Sequence, residues 1–201
     1  MFAYIKGVLE DKGLNYVVID VGGVGYKVFV TSKALNDVGE LGSIVKVHTH
    51  HYVREDNISL YGFLNNDELR MFELLLSVSG IGAKSAIAML SEISPSSFAL
   101  AIITNDISKL VGIPGIGNKT AARIVLELKD KLKNDAVGND ALVVPNGYKD
   151  AASNTKASET ASALQVLGYT KREIDKALEQ IDVNKLELEE IIKQALKLLG
   201  R

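Results

Sequence analysis

The stretch Val78-Ser-Gly-Ile-Gly-Ala-Lys-Ser-Ala86 returns, 35 positions on, as Ile113-Pro-Gly-Ile-Gly-Asn-Lys-Thr-Ala121. Gly80, Ile81, Gly82, Lys84 and Ser85 align with Gly115, Ile116, Gly117, Lys119 and Thr120. Each copy follows one helical pattern and opens another. Glycines on either side of a hydrophobic residue permit a tight turn and let the backbone come close to a ligand. The isoleucine points inward and pins that turn to a core. The first N–H groups of the next helix then face outward at the positive end of its dipole. Such a start receives phosphate. The lysine two positions beyond the second glycine brings a mobile positive charge to the same spot.

Two other readings of the phrase compete. A nucleotide-binding P-loop needs Gly-Lys-(Ser/Thr) after a buried strand. Here a residue separates glycine from lysine, and the preceding segments are helical. A plain glycine-bearing helix-turn-helix corner explains one copy well. It explains a repeat that keeps its lysine in place much less well. The phrase matches the helix-hairpin-helix motif of sequence-independent DNA-binding proteins, in which backbone contacts position the protein without reading bases.

The composition narrows the rest. The chain has 201 residues, 47% of them hydrophobic and 24% charged, as in a folded globular protein. Its apolar runs fall well short of the ~20 residues of a membrane span. No leader pattern is seen at the start. With no cysteine, disulfides, thiolate metal sites and thiol catalysis are excluded. The net charge of −2 is not that of a generic nucleic-acid binder. No segment is strongly basic: residues 1–64 carry 6 basic and 7 acidic groups, and 65–133 carry 8 and 7. Any DNA binding must therefore come from a few well-placed positive groups.

Three segments follow from periodicity. Residues 1–64 are predicted to hold five short strands, at Phe2–Leu9, Leu14–Val21, Tyr26–Thr31, Ile44–Tyr52 and Ile58–Phe63. Five strands in that length suit an OB-like (oligonucleotide/oligosaccharide-binding) barrel, with an SH3-like barrel fitting the pattern almost as well. Residues 65–142 turn helical and carry the tandem hairpins. Asn65 or Asn66 offers a first cap, Ser94-Pro95 a second, and a longer helix is expected from about Asn118 to Lys133. Periodicity is lost over 134–155, and a flexible linker is expected at 143–154. Residues 155–201 read as a three-helix bundle, broken at Gly168-Tyr169 and reopened by the capping box Thr170-Lys-Arg-Glu173. A bundle so small usually exists to hold a partner.

Other proteins with tandem hairpins include nucleases, ligases and glycosylases. The aspartate a glycosylase would want past the second hairpin falls instead at the linker's edge, and no nuclease-like carboxylate cluster is evident. No catalytic residue is therefore assigned. A single-strand binder using the barrel face remains a third reading.

The order of barrel, tandem hairpins, linker and bundle resembles the RuvA family of Holliday-junction-binding subunits, along the whole chain. The most specific pieces are Gly22-Gly-Val-Gly-Tyr26, His48-Thr-His50, Val53-Arg-Glu-Asp56, Leu60-Tyr-Gly-Phe63, Leu128-Lys-Asp130 and Leu167-Gly-Tyr169, with the two hairpins between them. The resemblance implies a cytoplasmic homotetramer, single or paired, that holds an open four-way junction in DNA recombination, repair and the SOS response. It implies no cofactor or enzymatic activity in this chain. The partners would be the RuvB motor ATPase, held by the C-terminal bundle, and the RuvC resolvase.

Site expectations follow. Gly80, Ile81, Gly82, Lys84, Ser85, Gly115, Ile116, Gly117, Lys119 and Thr120 are expected at phosphates. Arg123 joins them, though it could equally pair with Glu127 one turn on. Glu55 and Asp56 lie where turn residues are ordinary, but the resemblance makes them an acidic pin that repels phosphates at the junction's centre. Leu167, Gly168 and Tyr169 resemble the partner loop of ubiquitin-associated (UBA) domains, while Leu164, Leu167 and Leu178 fit a core as well. His48, His50 and His51 are read as barrel residues, since a zinc site needs three or four ligands. No metal is expected.

Overall fold

A computed structural model of the chain describes residues 2–55, 57–138 and 151–200, with side chains outside 130–138 and 151–155. Strand β1 (Tyr4–Lys12) pairs antiparallel with β2 (Tyr16–Val21) and with β4 (Ile44–Val53). Strand β2 pairs with β3 (Val24–Val30), and β4 with β5 (Ile58–Phe63). The barrel closes through a parallel pairing of β3 with β5, in the order β1-β2-β3-β5-β4. Parallel neighbours need a crossover. Here it includes a helix absent from the sequence reading, α1 (Ser32–Asp37), capped by Thr31 Oγ1, which accepts from the Ala34 N–H at 3.0 Å. This closure selects the OB-like reading over the SH3-like one.

Alternation places Ile5, Leu9, Val17, Ile19, Val28, Val30 and Val47 inside the barrel. Gly62, in the stretch Leu60-Tyr-Gly-Phe63, has a steric reason. A Cβ there would sit 2.4 Å from Val28 Cγ1 and 2.5 Å from Val47 Cγ1, so the interior closes only around a missing side chain.

Helix α2 (Asn66–Leu76) docks on this barrel through Phe72, whose ring lies 5.0 Å from Phe63, 5.1 Å from Tyr61 and 5.4 Å from His50. Asn65 caps it, its Oδ1 accepting from the Glu68 N–H at 2.9 Å. With α3 (Ala83–Glu92) these elements form one compact unit, Met1–Glu92.

The second unit, Ile93–Arg201, begins at α4 (Pro95–Thr104), capped by Ser94 with proline at its start as expected. It continues through α5 (Ile107–Val111), α6 (Asn118–Gly138), α7 (Ala151–Val166), α8 (Lys171–Leu178) and α9 (Leu188–Leu199). Helix α6 runs five residues past the expected end at Lys133, and α7 begins inside the stretch read as linker. Residues 139–150 lie outside the described ones. The capping box forms: Glu173 N–H donates to Thr170 Oγ1, and Thr170 N–H donates to Glu173 Oε2.

Glu68, in the first turn of α2, is buried, and its Oε2 has no hydrogen-bond partner among the described residues. Burial raises its pKa, against smaller lowering effects from Asn65 and Lys33. The folded state therefore holds this proton where the unfolded chain has released it. Stability is lost as pH rises from the ordinary glutamate range through the folded value. Glu68→Gln is expected to raise the melting temperature at pH 7, and the gain should vanish as pH falls below that range. Thermal melts across pH check this; a gain independent of pH contradicts it.

Candidate nucleic-acid interface

The two copies of the repeated phrase fold bond for bond alike, each within its own unit. In the first, Ile81 N–H donates to Val78 O at 3.1 Å, Val78 N–H to Leu75 O at 3.1 Å, and Ala86 N–H to Gly82 O at 2.9 Å. In the second, Ile116 N–H donates to Ile113 O at 3.0 Å, Ile113 N–H to Leu110 O at 3.2 Å, and Ala121 N–H to Gly117 O at 2.9 Å. The turn itself, Val78–Ile81 or Ile113–Ile116, has the hydrogen bond and positive third-residue φ of a type II turn. Gly80 and Gly115 both have φ +83°. Pro114 stands at the second position of the later turn, where its fixed φ is favourable.

Ile81 and Ile116 are each 6% exposed, buried as the sequence implied, with Val78 and Ile113 beside them. These anchors aim the start of α3 and of α6 outward. The first intrahelical bond in each is made by the alanine N–H, so the N–H groups of Ala83, Lys84 and Ser85, and of Asn118, Lys119 and Thr120, precede it. In α1, α2, α4 and α8 a side chain from the cap residue fills that role. Glycine at the cap of α3 and α6 leaves it open. Lys84, Ser85 and Lys119 are exposed and Thr120 half-buried; among the described residues neither lysine enters an ion pair. Arg123 is exposed one turn into α6 and already takes part in an interaction there.

Gly82 and Gly117 are instructive because the fold does not require them. Neither has a positive φ, and a Cβ at either meets nothing within 4 Å. A Cβ at either position would stand in open space among the described residues. Gly117→Ala should therefore leave the melting temperature nearly unchanged while weakening DNA binding. Gly115→Ala should destabilise by about 1–2 kcal/mol through left-handed strain. Paired melting and binding measurements check the contrast; a Gly117→Ala protein that binds DNA normally contradicts it.

Between β4 and β5, Arg54 N–H donates to Asn57 O at 2.8 Å and Asn57 N–H to Arg54 O at 3.3 Å, closing a tight hairpin. Glu55 is exposed at its tip, and Arg54 is turned back, its Nε donating to Tyr52 Oη at 2.9 Å. Asp56 lies outside the described residues.

His50 and His51 are spent on packing. His50 Nδ1 lies 3.1 Å from Glu73 Oε1 on α2, and His51 sits edge-on to Phe2. Burial, then the charge of Lys46, lowers the pKa of His48. No three metal-ligating side chains converge among the described residues.

The C-terminal loop departs from expectation. Leu167 is 0% and Tyr169 5% exposed, leaving only Gly168 at the surface. Gly168, at φ +80°, ends α7 in a Schellman motif: Tyr169 N–H donates to Leu164 O at 3.2 Å and Gly168 N–H to Gln165 O at 2.9 Å. That cap turns the flanking apolar side chains inward, so Leu167 and Tyr169 belong to the helical core rather than to an exposed partner patch. Leu164 is fully buried with them.

Three family models match the chain in order. The RuvA N-terminal domain matches residues 1–62, the SAM-like helix-hairpin-helix tandem 72–130, and the RuvA C-terminal domain 155–200. A protein of Acetivibrio thermocellus named "Holliday junction branch migration complex subunit RuvA" is 48% identical over 201 residues, the full length of both chains. The chain belongs to the RuvA family. Relatives of the same name include one from Ruminiclostridium cellulolyticum, 43% identical over 99% of this chain and all of its own length. Another, from Caldanaerobacter subterraneus, is 43% identical over the full length of both chains. The N-terminal match ends at residue 62 within β5, and the hairpin match covers both copies of the repeated phrase.

Proposed function

We propose that this chain is a non-catalytic subunit that binds four-way (Holliday) junction DNA and serves branch migration with a motor ATPase of the RuvB kind. The observation that carries this is the pair of hydrogen-bond-equivalent hairpins, each ending in an uncapped helix start with a lysine beside it. Each such receptor suits a phosphate backbone, and backbone recognition is what a substrate of arbitrary sequence demands. The names of the full-length relatives supply the junction and the branch-migration complex.

On this reading residues 1–64, 65–142 and 155–201 act as barrel, DNA-binding and motor-binding domains, joined by a linker at 143–154. Gly80, Ile81, Gly82, Lys84 and Ser85, with Gly115, Ile116, Gly117, Lys119, Thr120 and Arg123, form the phosphate sites. Four chains assemble around the junction in the cytoplasm, one tetramer or a facing pair, and RuvC resolvase works on the same DNA. No single helix among the described residues is long and apolar enough to cross a membrane. With Leu167 and Tyr169 buried, the motor contact falls on the exposed side chains around Gly168.

The first test is a competition gel shift on a labelled junction, with excess linear duplex and then single strand as competitors. The junction complex should survive both without cleavage in Mg²⁺; equal competition by duplex would remove the support for junction recognition. Lys84→Ala and Lys119→Ala should each weaken binding to all sequences and reduce the salt slope by about 0.9 for every phosphate left unneutralised. An unchanged slope in both would sink the hairpin assignment.

Glu55 and, by its neighbouring position, Asp56 act as the acidic pin, repelling phosphates through their charge at close range. Glu55→Gln combined with Asp56→Asn is expected to bind junctions at least as tightly while losing discrimination against duplex. Clearly weaker junction binding by this double variant counts against the pin.

A further inference from the structure

The outer face of the β1–β4 ladder carries a charge pattern that the fold alone does not explain. In the antiparallel register Lys6 stands directly opposite Lys46, and Tyr4 directly opposite His48. The period of two puts all four side chains on one face. Lys6, Lys46 and Tyr4 are exposed, Tyr4 at 54%. Lys46 Nζ lies 4.6 Å from the centroid of the Tyr4 ring. Like charges directly opposite each other destabilise a strand pair. Among the described residues neither lysine has a carboxylate partner. Asp20, farther along the same face of β2 and opposite Val8, has its Oδ1 accepting from the Gly23 N–H at 3.1 Å. The positive field is felt locally, since Lys46 adds to burial in lowering the pKa of His48.

We propose that Tyr4, Lys6, Lys46 and His48 form a further seat for a DNA phosphate backbone, separate from the hairpins. Two ammonium groups on flexible stems, rooted about 5 Å apart across a ladder, can bracket a phosphate from two sides. The ring of Tyr4 holds one of them in place and offers a flat surface to the adjoining sugar. The partner is committed to nucleic acid by charge: a chain of net −2 concentrates paired, uncompensated positive charge here. This inference rests on the DNA-binding reading above and extends it to the barrel. The same two lysines that oppose folding then bind the ligand.

Lys46→Glu separates the two roles, because it places an opposite charge against Lys6. The cross-strand pair becomes favourable, so the melting temperature should rise. The phosphate is no longer neutralised, so junction affinity should fall and the salt slope should drop by about 0.9 for every phosphate released from the seat. Lys6→Gln with Lys46→Gln should lower the slope in the same way without introducing an acidic group. Both variants are compared with the unaltered chain by gel shift over a salt series, by thermal melts, and by sedimentation for oligomeric state. A slope equal to that of the unaltered protein overturns the proposal. So does weaker binding accompanied by a lower melting temperature, which would mean the fold needs the lysine. A changed oligomeric state overturns it in favour of a contact between copies. Failure of the unaltered protein to bind a junction at all defeats the functional reading itself, and this inference with it.

Discussion

The structure turns on what caps α3 and α6. A helix start has N–H groups that its own hydrogen bonding cannot satisfy, and at four other helices this chain answers with a side chain: Thr31, Asn65, Ser94 and Thr170 each fold back on their helices. At Gly82 and Gly117 there is no side chain to do so. The buried isoleucine just before each glycine fixes the turn, so the open N–H groups are held at a set angle rather than left to fray. On the proposed function a phosphate meets donors that are already in place, and little conformational entropy remains to be lost on binding. The lysine at the second helical position can follow the phosphate because its stem is unconstrained. Rigidity in the backbone and freedom in the charge divide the task between them.

The first unit shows why the barrel precedes the hairpin. Phe72 of α2 lies against Tyr61 and Phe63 of β5, and His50 of β4 reaches Phe72 and Glu73. A ten-residue helix such as α3 is marginal in isolation. Seated through α2 on a closed sheet, its start becomes a fixed point. The absence of a side chain at Gly62 belongs to the same construction, since it lets Val28 and Val47 close the interior beneath the strand that Phe72 packs against.

Much of this was legible in the sequence, for identifiable reasons. The five strands announce themselves by alternation, and the repeated phrase by its glycines and lysine. Helix α1 was invisible because six residues are too few to display a helical period, and the parallel β3–β5 closure is a long-range pairing that no local pattern encodes. The extension of α6 past Lys133 reflects a run of Lys, Asn, Asp and Ala that helix and loop share. The burial of Leu167, which fits a core as well as a partner loop in the sequence, and of Tyr169 has a local cause. A glycine at the end of a helix commonly brings the apolar residue after it back against the last turn, so the burial of Tyr169 was implied by the same Gly168 that suggested an exposed loop. The isolated Oε2 of Glu68 could not have been found, because it depends on what the fold places around a residue that otherwise reads as an ordinary first-turn acid.

The near-neutral charge of the chain makes physical sense on the proposed function. A strongly basic protein gains most of its DNA affinity from released counterions, whatever the shape of the duplex. Here basic and acidic groups nearly balance in every segment, so bulk attraction is weak and affinity must come from positions where donors and lysines coincide. Placing Glu55 at an exposed hairpin tip goes further, since a fixed negative charge excludes phosphate from its own surroundings. A ligand then binds well only when its backbones pass the helix starts while avoiding that tip. A continuous duplex and a branched one differ in whether they can do both. On this account discrimination arises from the arrangement of a few charges on rigid supports, and added basic residues would raise affinity at the expense of that selectivity.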